Sequence, residues 1–183
     1  NLGKLTSFNV ENYNTQTFGD RSALTEIVLP ETLTSIGANS IRDYPNLTSI
    51  GSGVFSNITS IGYNSFYNIP NVTQAVSFPA LTSVVSTSAS GQHLTLSKCG
   101  FTEFHAPLLD LANIEVYQTG YGVLSFCPNL HTIEIGELTI VPLGFARDCV
   151  KLETVSNFSK VTLVKYMAFY NTPLMTIDLV LPV

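Results

Sequence analysis

The chain has 183 residues, a formal net charge of −5, a pI near 5.0, 45% hydrophobic residues and only 11% charged ones. That length supports one domain with an ample core, and the charged fraction is well below the about 25% of ordinary globular chains. The acidic balance excludes a nucleic-acid binder built on clustered Lys and Arg, and no run approaches the 18 apolar residues of a membrane span.

From the start of the chain, Leu5 opens the first apolar-Thr unit, and the Asn-rich stretch from Asn9 to Asn14 reads as a cap on a first coil. The chain begins at Asn1 with no signal peptide, which reads as a trimmed or mature form. From Leu24 to Val84 one short phrase recurs: Leu24-Thr-Glu-Ile27, Leu33-Thr-Ser-Ile36, Leu47-Thr-Ser-Ile50, Ile58-Thr-Ser-Ile61, Val72-Thr-Gln-Ala75 and Leu81-Thr-Ser-Val84. Between Asp43 and Lys98 there is no Asp, Glu, Lys or Arg, so hydroxyls and amides alone must keep this stretch soluble.

Two half-units alternate. The longer recurs at Phe18-Arg21-Leu24-Ile27, Ile41-Tyr44-Leu47-Ile50 and Phe66-Ile69-Val72-Ala75, apolar in every slot but that of Arg21. It returns at Leu124-Cys127-Leu130-Ile133 and Ala146-Cys149-Leu152-Val155, and one residue shorter at Leu96-Cys99-Phe101-Phe104 and Phe169-Thr172-Leu174-Ile177. The shorter half is the plain phrase at Leu5, Leu33, Ile58, Leu81, Leu111, Leu138 and Val161. The marker residues Leu24, Leu47, Val72, Phe101, Leu130, Leu152 and Leu174 recur on average about every 25 positions, within the range of leucine-rich repeats. The two longest intervals hold turn-rich insertions, near 85–92 and 117–123.

Such a unit cannot bury its small apolar face alone, so stacked coils with a continuous core are the expected solution. The alternation in Leu24-Thr-Glu-Ile-Val-Leu-Pro30 predicts a strand with Ile27 and Leu29 inward. Pro30, Pro79 and Pro107 close such strands, and Gly37, Gly51 and Gly62 mark tight turns. No helical period persists over ten residues, so single helical turns are the most expected. The fold class is therefore a leucine-rich-repeat solenoid: mainly β, with parallel stacked strands. Residues 1–183 form one solenoid of about seven repeats, expected to be a fragment of a longer protein. The apolar end Ile177-Asp-Leu-Val-Leu-Pro-Val183 lacks a polar cap, which a solenoid needs for solubility.

The stretches Leu33-Thr-Ser-Ile-Gly-Ala-Asn-Ser-Ile41-Arg-Asp-Tyr44-Pro-Asn-Leu47-Thr-Ser-Ile50 and Ile58-Thr-Ser-Ile-Gly-Tyr-Asn-Ser-Phe66-Tyr-Asn-Ile69-Pro-Asn-Val72 resemble the BspA-like leucine-rich repeat. The resemblance spans about residues 5–182 and is weakest over 85–123. It implies a secreted or bacterial cell-surface module that binds or adheres to proteins or glycans on host or neighbouring cells. It carries no catalytic motif, and no catalytic, cofactor or metal residue is assigned from the sequence.

Three features invite chemistry. Cys127 and Cys149 share one slot and Cys99 sits one residue off it. They read as buried column residues, with a disulfide between adjacent coils or a reactive site as alternatives. Glu103 and His105 share the outward face of one strand, either as an acid-base pair or as solvated polar residues. Asn46, Asn57, Asn71 and Asn157 each open an N-glycosylation sequon, yet Asn before the repeated x-Thr reads as a turn or cap residue. Marker positions +2 and +4 nominate a candidate binding face of Glu26, Val28, Ser49, Gln74, Val76, Glu103, His105, Thr132, Glu134, Thr154, Thr176 and Asp178, polar and mildly acidic. The alternative is an ordinary solvated sheet. For the whole module the alternative to binding is a passive spacer for another domain.

Overall fold

The structure, a computed structural model, describes residues 21–84, 95–111 and 122–174 together with the backbone of Ser7–Phe8. Its regular elements are short strands: β1 (Ser7–Phe8), β2 (Glu26–Ile27), β3 (Ser35–Ile36), β4 (Ser49–Ile50), β5 (Ser60–Ile61) and β6 (Ala75–Ser77). They continue with β7 (Ser83–Val84), β8 (Glu103–Ala106), β9 (Thr132–Ile135), β10 (Ile140–Val141), β11 (Thr154–Val155) and β12 (Leu163–Val164). Every pairing is parallel. The longer half-unit supplies β2-β4 and β6-β8-β9-β11, and the shorter supplies β1-β3-β5-β7 and β10-β12. Each coil thus contributes a strand to each of two separate faces.

The repeated phrase has a direct physical origin. Its first and last apolar residues point inward: Leu47, Ile50, Ile58 and Ile61 are at most 2% exposed. Its Thr serves the backbone twice. In Thr59 the amide N–H donates to the Thr34 carbonyl at 2.8 Å and the hydroxyl donates to that same oxygen at 3.2 Å. Thr48 on Thr25, Thr82 on Thr59 and Thr162 on Thr139 repeat this double donation. A carbonyl has two lone pairs, and the Thr ladder fills both.

The Asn residues work in the same direction. Asn46, Asn57 and Asn71 donate their side-chain amides to the carbonyls of Ser22, Glu31 and Pro45 in the preceding coil at 2.6–2.7 Å. They are inter-coil struts at the turns, a longer-range role than the local turn or cap read from the sequence.

Inside, one apolar core runs from Ile27 to Ala168. Phe rings pass it from coil to coil: Phe55 stacks on Phe78 at 4.6 Å, Phe78 meets Phe104 tilted at 5.9 Å, and Phe66 meets Phe101 edge-on at 6.3 Å. The turns ahead of the marker residues are tighter than the sequence suggests. Asp43, Asn68, Lys98, Phe126, Asp148 and Asn171 form a column, one residue per coil, all at φ between 53° and 60°. Asp and Asn tolerate this left-handed conformation best.

Of the expected glycine turns, Gly51 has φ +51° and fits. Gly62 does not: a Cβ there would lie 2.4 Å from the Ala38 amide nitrogen, so what demands glycine is the contact between adjacent coils. Pro30, Phe78 and Ala106 close their strands through turns to Leu33, Leu81 and Leu109, with Pro79 and Pro107 inside the last two. The Asn9–Asn14 cap, the bodies of both insertions and the terminal segment Ile177–Val183 lie outside the described residues.

Candidate functional site

Strands β2, β4, β6, β8, β9 and β11 turn alternate side chains outward, forming two ranks along the stack. Glu26 lies in register with Ser49, Glu103 with Thr132, and Thr132 with Thr154. In the second rank Val54 bridges to Ser77, Ser77 pairs with His105, and His105 pairs with Glu134. Val28, at 65% exposure, stands at the end nearest the start of the chain. Thr176 and Asp178 lie outside the described residues.

One coil breaks the expected register. Val76 is fully buried and belongs to the core, not to the face; Ala75 and Ser77 point out instead. The coil holds one extra residue between Val72 and its inward partner, and the core takes the branched Val76 in preference to Ala75 because it buries more apolar surface. The extra residue displaces Gln74 from the outward rank. Its amide folds back, accepting from the Ile50 N–H at 3.2 Å and donating to the Ile50 carbonyl at 3.4 Å. Strands β4 and β6 are not paired, so the Gln74 side chain stands in for the missing ladder bonds. Its CONH₂ group offers the same donor and acceptor as a peptide.

Glu103, His105 and Glu134 form a cluster. His105 Nε2 lies 2.8 Å from one Glu103 carboxylate oxygen and Nδ1 lies 2.9 Å from one of Glu134. Burial lowers the proton affinity of His105, but hydrogen bonds and charge from Glu134 and Glu103 outweigh it and carry the pKa above 6.5. Both ring nitrogens donate when the imidazole is protonated, so the ion clamps two neighbouring coils. The carboxylates remain 46% and 48% exposed, and the cluster keeps a net negative charge. Both ring nitrogens are engaged, so the acid-base alternative for Glu103 and His105 has no free ring nitrogen facing solvent.

Next to Val28 and Val54 lies a cleft of about 640 Å³ between the first two described coils. It exists because Ile50 and Ile58 are joined by seven residues, whereas Ile27 and Leu33 are joined by five; the longer path through Gly51-Ser52-Gly53 swings away and opens the gap. Val28, Leu29, Pro30, Leu33, Val54 and Phe55 give it an apolar wall, and Glu31, Ser52, Ser56 and Asn57 line the polar remainder. Sequence reasoning missed this cleft, though the glycine pair and the long connection were its visible signal.

The cysteines sit inside. Cys99, Cys127 and Cys149 are buried free thiols, each donating to a carbonyl of the preceding coil: Phe66 at 2.8 Å, Leu96 at 3.3 Å and Leu124 at 3.0 Å. Burial pushes the Cys127 thiol well up, and the neighbouring Cys127 thiol followed by burial does the same to Cys149. Cys127 and Cys149 therefore remain protonated, and burial closes all three thiols to solvent. Among the described residues no group of three or more His, Cys, Asp or Glu side chains is arranged to hold a metal ion. A ridge of stacked cations and rings also escaped the sequence: Arg42 over Tyr67 at 5.1 Å, and Arg147 over both Phe126 and Tyr170 at 5.5 Å.

This fold is a parallel-strand repeat solenoid with strands stacked along two faces. A family model described as the BspA type leucine-rich repeat region matches residues 3–107 and 82–181 in six copies, and the chain belongs to that family. No curated protein sequence and no solved structure matches the chain.

Proposed function

We propose that the protein is a non-enzymatic binding module, displayed on a bacterial surface and recognising proteins or glycans of host or neighbouring cells. The observation that carries this reading is the face formed by β2, β4, β6, β8, β9 and β11. It presents Glu26, Ser49, Glu103, His105, Thr132, Glu134 and Thr154 in ordered ranks across successive coils. Repeat solenoids bind through extended surfaces of this kind. Membership of the BspA-type family supports an outward-facing, adhesive role, and no helix among the described residues is long and apolar enough to cross a membrane.

The experiment is a binding screen against matrix proteins and glycans, comparing the wild type with a Glu26→Ala/Glu103→Ala/Thr132→Ala/Glu134→Ala variant of equal thermal stability. Saturable binding that the variant loses supports the module. A well-folded wild type that binds nothing supports a passive spacer for another domain of a larger surface protein.

A further inference from the structure

We propose that the cleft between the first two described coils and the acidic ranks beyond it form a single docking site. Its occupant is an extended segment of another protein carrying an aliphatic side chain and, three or four residues away, a Lys or Arg. This deepens the proposed function and rests on its reading that the outward face of β2, β4, β6, β8, β9 and β11 is the contact surface.

The cleft supplies the anchor. Val28 and Val54 stand 65% and 54% exposed at its rim, and Leu29, Pro30 and Leu33 line it. Exposed aliphatic side chains around a concave opening bury apolar area when an aliphatic group enters, at roughly 25 cal/mol per Å². Sugar rings stack on open aromatic faces, and here the aromatic of the lining, Phe55, is 8% exposed and already stacked on Phe78 at 4.6 Å. The cleft therefore favours a peptide side chain over a glycan.

The charge beyond the cleft selects the second feature. The outward positions of the face include Glu26, Glu103 and Glu134 and contain no Lys or Arg. Glu103 and Glu134 keep about half of their side chains in solvent while sharing His105. A cation arriving there finds two carboxylates, each with a lone-pair side still open.

The register sets the spacing. Val54 bridges to Ser77, Ser77 pairs with His105, and His105 pairs with Glu134. At about 4.8 Å per strand step, the cluster lies roughly 10–14 Å from Val54. An extended chain at about 3.3 Å per residue covers that span in three to four residues.

The test pans a phage-displayed random heptapeptide library on the folded 183-residue chain. The dominant peptide is then synthesised and titrated. The proposal expects enriched sequences with an aliphatic residue three or four positions from Lys or Arg. It expects binding at least tenfold weaker for Val54→Asp and for Glu103→Gln/Glu134→Gln, and unchanged for Ser60→Lys on the other sheet. Both cleft valines are exposed, so Val28→Asp provides a second variant, with thermal melting checking the fold. No enrichment, enrichment without the pair, or a paired peptide indifferent to both Val54→Asp and Val28→Asp overturns the proposal. A peptide that needs Glu103 and Glu134 but not the cleft overturns it while leaving the broader face reading intact. A peptide lost only on Ser60→Lys overturns both.

Discussion

His105 shows how one residue couples the face to the fold. Protonated, it holds Glu103 of its own strand and Glu134 of the next coil. Its folded pKa is raised, so its stabilising effect is complete below its unfolded value of about 6.5 and is lost as pH rises through the folded pKa. His105→Gln is expected to remove this loss of stability over the pH range just above about 6.5. The change is only about 0.2–1 kcal/mol, because both carboxylates are half exposed and screened. Urea midpoints across that range, measured for wild type and variant, check it. The pairing was legible in the sequence, since His105 and Glu134 occupy the same offset in consecutive copies. The thiols make a second prediction at this scale. Cys99, Cys127 and Cys149 are fully buried, so an aromatic disulfide reagent is expected to titrate none of them in the native protein and all three in denaturant.

At the scale of the turn and strand, left-handed residues and inter-coil contacts decide what substitutions do. Lys98 has φ 54° and an exposed side chain in a column where four coils use Asp or Asn. Lys98→Gly is expected to stabilise the protein by less than about 1 kcal/mol, since glycine escapes the Cβ penalty of this conformation but gives up the cation–π contact of Lys98 over Tyr67 at 5.6 Å. Gly62→Ala is expected to do the reverse, because its Cβ would meet backbone atoms at 2.4–2.9 Å that cannot move independently of the neighbouring coil. Equilibrium denaturation distinguishes the two signs. In the Thr ladder, Thr59→Val keeps the shape but removes the hydroxyl donated to Thr34, at an expected cost of about 0.5–1.5 kcal/mol. The sequence reading failed in this range at Val76. The phrase Val72-Thr-Gln-Ala75 looks like its siblings, and a one-residue slip reverses every side chain. The alternation Val76-Ser77-Phe78 was the competing signal: burying Val76 and Phe78 outweighs keeping the phrase in step.

Over the whole molecule, the period alone revealed the stacking, the parallel pairing and most of the core, because each coil repeats the same burial problem. It did not reveal that the shorter half-unit also builds a sheet. There Ser7, Ser35, Ser60 and Ser83 stand in one register-matched rank. Nor did it locate the cleft, which arises from a difference in path length between two coils and so is invisible to anything that averages over copies. The two sheets offer a built-in control. One is acidic and interrupted by a cleft; the other presents an uncharged serine rank. The most direct measurement is the affinity of a screened partner for two charge-bearing variants, Glu103→Lys/Glu134→Lys on the first sheet and Ser60→Lys/Ser83→Lys on the second. The account predicts that the first variant loses binding at least tenfold while the second retains it. Loss through the second variant with full binding by the first would contradict it.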